Sequence, residues 1–441
     1  MRGFLASSIG VTCAAALALP LTLPAAAAPT RAPASAAQPT SGARSAPTAA
    51  EPDLPGSTQS LPLAPATRDR TLGAAPEQGL TRDDVHRFSL VGITWTDPDT
   101  ELRGRVQVRT RATGTGEWSD WQDVDTHNED HGADPGTAER DSGHVHGSTA
   151  PLWVGDSDAV DVRVRADPGT ARAVGDRASA LPVGLHLELV DPGAEPPAPA
   201  AGARPTARRA AVPLAATELP ALSRAATERE AVTMYGRSQP YIGPRPRIIT
   251  RRGWGADEKL REKGYVYTKK VKAVFVHHTA SGNNYSCSQA SSVIRGIYRY
   301  HVKSSGWRDI GYNFLVDKCG NIYEGRAGGV AKPVLGAHTL GFNTNSMGIA
   351  VLGTFGTAKP SSAAVTAIAR LAAWKLGLYG VNPRGKTYLK SGGGNLYRKG
   401  KNVRLNAISG HRDGFATECP GRQLYGKLGS ARSTSARFQG R

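Results

Sequence analysis

Val271-Lys272-Ala273-Val274-Phe275-Val276-His277-His278-Thr279 is the stretch on which the reading of this chain turns. Its first six positions are almost wholly apolar, the pattern of a central strand buried on both faces. The run ends in two histidines, so polar chemistry begins where the buried strand stops. Downstream, Val293, Ile294, Ile297 and Tyr300-His301 recur at helical spacing over 288–303. Val365, Ile368, Leu371-Ala372 and Trp374 do the same over 361–376, behind Pro360 and a serine cap. Residues 311–316, 321–325 and 346–352 predict further strands. The region 238–430 is therefore expected to be an α/β domain with a mixed central β-sheet flanked by helices.

Working outward, 193–237 is rich in Ala, Pro and Arg and predicts a linker. Before it, 82–192 carries short alternating stretches, such as Val106 and Val108 against Arg105, Gln107 and Arg109, between Gly/Asp/Pro turns. That pattern predicts a small antiparallel β domain of unassigned ligand. Trp118 and Trp121 lie in it and could stack on sugars if exposed, although paired tryptophans in a β domain usually belong to its core. Residues 29–81 are Pro/Ala/Ser/Thr-rich without hydrophobic periodicity and predict a disordered linker. Residues 431–441 predict a polar tail. The fold class is multidomain.

Residues 1–28 have a positive start, an Ala/Leu/Val-rich run and a small-residue end at Pro24-Ala25-Ala26-Ala27-Ala28, as in a cleaved secretory signal peptide. This is the one long apolar run in the 441 residues, which excludes a polytopic membrane protein and leaves no integral membrane segment after cleavage. A secreted, cell-wall-associated location is expected. Four cysteines are too few for a disulfide-only scaffold, and cleavage removes Cys13. Cys287 and Cys319 can pair across a loop of about thirty residues, worth roughly 3 kcal/mol. Cys419 is then left over and needs a role in an oxidising compartment.

The formal net charge of +18 is unevenly held. Residues 245–427 carry 30 basic and 8 acidic side chains, while 1–244 carry 22 and 29. The α/β domain should attract a polyanion. Outside a cell that means anionic wall polymers or lipid surfaces, and no nucleic-acid motif accompanies the charge.

The leftover Cys419 stands eight positions after His411, in Ser409-Gly410-His411-Arg412-Asp413 and Thr417-Glu418-Cys419-Pro420. With one histidine from the strand end these make a two-His, one-Cys set, the donor number of a catalytic zinc site with an open fourth position. Taken singly, a strand-end His is more often a hydrogen-bonded core residue, and a lone Cys an inert one. His127, His131, His144 and His146 also lie close in sequence, within a Gly/Asp-rich stretch that reads as an exposed loop.

Several motifs in order resemble one family. They are Arg252-Gly253-Trp254-Gly255-Ala256, Val276-His277-His278-Thr279, Gly311-Tyr312-Asn313-Phe314, Ile322-Tyr323-Glu324-Gly325-Arg326, Gly336-Ala337-His338-Thr339, Gly341-Phe342-Asn343 and Gly410-His411-Arg412-Asp413 with Thr417-Glu418-Cys419-Pro420. Over 247–428 the chain resembles the zinc-dependent N-acetylmuramoyl-L-alanine amidases whose domain is shared with the peptidoglycan recognition proteins. It looks like the secreted Gram-positive type. The resemblance implies Zn2+ on His277, His411 and Cys419 and a catalytic Tyr312, with Thr417 as a second catalytic residue expected to orient the water or stabilise the intermediate. It implies peptidoglycan, glycan strand and stem peptide, as the partner. His278, His338, Thr339 and Asn343 are expected to line the groove, with Arg326 pairing a stem-peptide carboxylate. Glu324 is a spare acid–base candidate whose strand position fits a structural salt bridge as well. The sequence departs from the family at Ala327-Gly328-Gly329, and 382–402 looks like an insertion near the site. The expected activity is hydrolysis of the amide between N-acetylmuramic acid and L-alanine. A non-catalytic peptidoglycan-binding receptor and a wall-polyanion-binding protein are the alternatives.

Overall fold

The computed structural model describes residues 56–66, 76–126, 128, 130–168, 180–194, 216–236 and 240–441. The signal-peptide reading lies outside them. Among the described residues no helix is long and apolar enough to cross a membrane.

The first half is a wholly antiparallel β domain. Its strands are β1 (Ser57–Pro62), β2 (Ala64–Pro65), β3 (Glu77–Arg82), β4 (Phe88–Trp95), β5 (Gly104–Ala112), β6 (Gln122–Val124), β7 (Gly147–Ser148), β8 (Leu152–Ala166) and β9 (His186–Asp191). The order β1-β9-β4-β8-β3-β2 forms the main path, with β5 and β6 attached through β8, and β7 on β4. The long β8 bridges two sets of partners. Its first half pairs with β4, as Leu152 with Val91, and its second half with β3 and β5, as Val164 with Gln78 and Val106. Period-2 alternation aims Val106 and Val108, Val160, Val162 and Val164, and Leu187 and Leu189 into one core. Trp118 is 37% exposed. The Arg109 guanidinium lies 5.2 and 5.0 Å from the Trp118 and Trp121 rings, so a cation rather than a core holds this pair.

The second half is α/β, as its apolar strand requires. Its strands are β10 (Glu218–Leu219), β11 (Ile248–Ile249), β12 (Ala273–His278), β13 (Phe314–Val316), β14 (Ile322–Glu324), β15 (Ser346–Val351), β16 (Lys386–Lys390), β17 (Asn402–Asn406) and β18 (Ile408–Gly410). Its helices are α1 (Arg224–Tyr235), α2 (Ala290–Arg299), α3 (Ser362–Leu378), α4 (Arg422–Tyr425) and α5 (Leu428–Phe438). The seven-stranded sheet runs β10-β11-β14-β13-β15-β12-β18. β12 is buried at every position between two parallel neighbours, β15 and β18. The sheet is mixed because β13 meets β14 antiparallel. Val274 and Val276 join the core beneath α3 and α5. Ser361 caps α3 by accepting from the Ala364 N–H at 3.0 Å. On the other face α2 packs with Leu90, Trp153 and Val190 of the β domain in one apolar cluster. The Tyr300 hydroxyl donates to Ile93 O and Thr149 O across this seam. Gly92 allows the approach, since a Cβ there would sit 2.4 Å from Tyr300 Oη.

Three boundaries differ from the sequence reading. The stretch 29–81 contains β1, β2 and β3, so the β domain begins earlier than residue 82. β1 lies at the end of the path on β9, where Pro62 costs no ladder hydrogen bond and half-exposed Ser/Gln/Pro residues leave no hydrophobic signal. The expected linker 193–237 contains β10 and α1, with Ser223 as N-cap and Ala231 buried. The expected tail is α5, which continues past residue 430. Ala431, Ser435 and Ala436 are buried, and Ser435 Oγ and Gln439 Nε2 donate to α3 carbonyls at Ala369 and Ala373. Small and polar residues can line a buried face when those carbonyls take their hydrogens.

Candidate metal centre

β12 and β18 are parallel neighbours, with Val276 opposite Gly410. Their pairing ends at that level, so His277 after Val276 and His411 after Gly410 emerge side by side. Strand alternation puts His277 on the side of Phe275 and sends His278 to the opposite side. His277 Nδ1 stands 3.1 Å from His411 Nδ1, and Cys419 Sγ stands 3.8 Å from His277 Nδ1. The loop after β18 returns because the Arg412 N–H donates to Cys419 O at 3.1 Å. Within it Thr417 Oγ1 accepts from the Cys419 N–H at 3.1 Å.

The far nitrogen of each imidazole has an outer partner. His277 Nε2 is 3.3 Å from Thr339 Oγ1, which is 3.0 Å from His338 Nδ1. His411 Nε2 is 3.1 Å from the carbonyl of Asp130. Such contacts fix ring orientation and leave Nδ1 free to ligate. Burial holds both imidazoles neutral, with His411 pushed down to about 3 and His277 well below its ordinary value. Burial also pushes the Cys419 thiol up, with Asp130 adding to it. A divalent ion would reverse that balance by binding the thiolate.

A fourth donor belongs to the set, and the sequence reading missed it. His131 lies in the β domain, on the connection 125–146 between β6 and β7, yet its ligating atom is within 4.8 Å of those of His277, His411 and Cys419. The stretch read as an exposed loop is corrected there: His131 is 7% exposed. His127 lies outside the described residues. The adjacent Asp130 carboxylate and the nearby Asp134 and Glu139, three acids facing a strongly basic domain, were the signal that the sequence offered.

Tyr312 is 4% exposed and its ring lies 5.6 Å from that of His277. Burial pushes its hydroxyl well above the ordinary value, with Cys419 and Asp130 adding to the shift. The expected groove residues divide. His338 and Thr339 are fully buried behind His277, and Gly348 makes room for the His338 ring, where a Cβ would lie 2.4 Å from its Cγ. His278 Nδ1 accepts from the Phe355 N–H at 3.3 Å. Asn343 and Arg326 meet the β domain: Asn343 Nδ2 donates to Asp134 Oδ1 at 2.6 Å, and Arg326 forms a bidentate pair with Glu139 at 2.8 and 2.9 Å. Glu324 Oε2 accepts from the Arg251 N–H, a structural bond. Cys287 and Cys319 form the disulfide, with their Cα atoms 6.2 Å apart. The insertion 382–402 reaches the centre's margin, where the Gly392 N–H donates to Gly341 O at 2.7 Å.

Residues 267–422 match the family described as N-acetylmuramoyl-L-alanine amidase, and residues 43–200 match a domain described as galactose-binding domain-like, named after Rv3811. Peptidoglycan-recognition protein SC2 of Drosophila melanogaster is 32% identical over 186 residues, which are 41% of this chain and 84% of that protein. The chain belongs to the type 2 amidase and peptidoglycan-recognition protein family. Peptidoglycan-recognition protein SC1a of the same fly is 36% identical over 35% of this chain and 69% of that relative. A solved structure of Drosophila PGRP-LB is 27% identical over 42% of this chain and 92% of its own, with a TM-score of 0.33. The amidase-family match falls wholly within the α/β domain that carries His277, His411 and Cys419.

Proposed function

We propose that the protein is a secreted zinc amidase that hydrolyses the amide joining the lactyl group of N-acetylmuramic acid to L-alanine in peptidoglycan. The observation that carries this reading is the meeting of His277 Nδ1, His411 Nδ1 and Cys419 Sγ beside the buried Tyr312. Two neutral nitrogens and one sulfur within ligating reach suit zinc. When bound, zinc supplies Lewis acidity for the scissile carbonyl and acidifies water.

The chain's own residues do the rest. Tyr312 keeps its proton because burial disfavours the phenolate, so its hydroxyl donates a hydrogen bond to the oxygen that gains charge as water adds to the carbonyl carbon. Thr417 holds the Cys419 backbone and so positions the thiolate. Thr339 holds the His277 imidazole. The C–N bond breaks, the amine of L-alanine takes a proton, and a lactyl carboxylate and a free stem peptide result. Tyr312→Phe removes one donor and is expected to lower turnover by roughly 100-fold or more while zinc content stays unchanged.

A peptidoglycan receptor without hydrolysis is the second reading, favoured by the covering of the centre by residues 130–146. Mass spectrometry of digested peptidoglycan separates the two. The zinc-loaded full chain and the Asp134→Asn/Glu139→Gln variant, whose covering loop is loosened, are each run beside Cys419→Ala and a chelator. Free stem peptides with intact glycan strands, absent from both controls, are expected. Wall binding without release from either protein would establish the receptor.

A further inference from the structure

Residues 130–146, on the connection from β6 to β7, lie over the metal centre. At the start of this stretch, His131 Nδ1 lies 2.6 Å from Asp130 Oδ1. Its Nε2 is buried and has no hydrogen-bond partner. Buried imidazole nitrogens are normally satisfied, and an orphan among three converging ligand atoms has one evident use. The carboxylate–histidine pair is the arrangement that orients a metal-ligating ring. Three α/β-domain ligands leave one position, which a catalytic zinc site reserves for water or substrate.

The flanking residues occupy the surface expected to bind substrate. Glu139 takes both arms of Arg326, the group expected to pair with a peptide carboxylate. Asp134 Oδ1 accepts from Asn343 Nδ2 and from the Gly341 N–H, at 2.6 and 2.8 Å. Gly132 O accepts from Asn343 Nδ2 at 2.9 Å, and Asp130 O accepts from the Leu340 N–H at 2.9 Å. The loop therefore presents carboxylates and carbonyls where an acidic peptide would present its own. Each of these contacts can be replaced by water or ligand, whereas the apolar seam at α2 cannot be so replaced.

We propose that His131 is the fourth metal ligand, supplied by the β domain, and that residues 130–146 form an autoinhibitory plug that keeps the hydrolase latent until the loop withdraws. The plug fills the open coordination position and the peptide contacts together. Withdrawal of the loop, with the domains still docked, frees both. The latency rests on the amidase reading, whereas the ligand assignment does not.

The test uses the full mature chain loaded with Co(II), then with zinc. Wild type is expected to show the visible spectrum of a site with four protein ligands and no response to added thiocyanate. His131→Ala is expected to show an altered spectrum that shifts with thiocyanate as the anion enters the vacated position. Zinc-loaded His131→Ala and Asp134→Asn/Glu139→Gln are expected to release stem peptide roughly 10- to 100-fold faster than wild type, as when a rare open state becomes common. The double variant keeps His131 and so guards against a folding defect in the single one. Identical spectra and anion responses in wild type and His131→Ala would overturn the ligand assignment. Equal hydrolysis by all three proteins would overturn the plug. The expected spectra with no hydrolysis by any of them would support the ligand assignment and overturn the amidase reading instead.

Discussion

The β domain meets the α/β domain in two places of opposite chemistry. At α2, Leu90, Trp153 and Val190 share one apolar cluster with Ile294 and Ile297. Over the metal centre the contacts are carboxylates, carbonyls and an imidazole, with the Arg326–Glu139 pair 5% and 6% exposed. Apolar burial gains from the loss of water and has no competitor in solution. A buried ion pair gives back much of its attraction as desolvation, so its net contribution is small although breaking one side of it is costly. The difference teaches that the seam fixes the domains together, and the loop is the part that can exchange.

The largest effect should come from breaking the seam. Trp153→Ala is expected to destabilise the chain by about 3–5 kcal/mol, read as a lower denaturant midpoint. If the seam is permanent, no stable state with separated, folded domains appears, and two resolved unfolding transitions would contradict that. Next comes Glu139→Gln, which strands the Arg326 charge under the loop. A stranded buried charge costs roughly 3–5 kcal/mol while the loop is closed, so the loop should lift and hydrate Arg326 instead. Hydrogen exchange in 130–146 is then expected to accelerate by about 100-fold, with protection in β4 and α2 unchanged. Matching acceleration in all three would show that loop and seam act as one.

The smallest effect lies away from both contacts. Lys375 is buried in α3 and its ammonium donates to the carbonyls of Val330 and Lys332. Burial pushes its pKa down to about 7, against an opposing pull from Glu324. The unfolded chain keeps this proton up to about pH 10.4, so between those values the unfolded state binds more protons and stability rises with pH. Wild type should gain about 1 kcal/mol over Lys375→Met between pH 7.5 and 8.5. The same increment in a variant with Glu139→Gln added would show that this site is independent of the loop.

Much of this was legible in local pattern. The apolar run into His277 gave a central strand, and the spacing of Val365, Ile368 and Leu371 gave α3. The leftover Cys419 drew attention to His411. What escaped was of two kinds. α5 buries Ala431, Ser435 and Ala436, which carry little hydrophobic contrast, so no periodicity marks it. His131 lies 146 positions from His277 in the chain, and no short spacing ties it to His277, His411 or Cys419. A ligand from another domain is defined by docking, and docking depends on the α2 seam, which no local pattern reports. The basic domain was expected to attract a polyanion, and what the structure places against it is Glu139 of its own chain, paired with Arg326.

Both ends of the covering loop are pinned in the β domain, β6 on β5 and β7 on β4. His131 is thus a tethered ligand with a high effective concentration at the metal, set by the short spans on either side. A free imidazole or a peptide carboxylate must match that concentration to compete. A single backbone cut in the loop would leave each piece held at one end. It would lower the effective concentration of His131 without removing it, so cleavage would grade the device where withdrawal switches it.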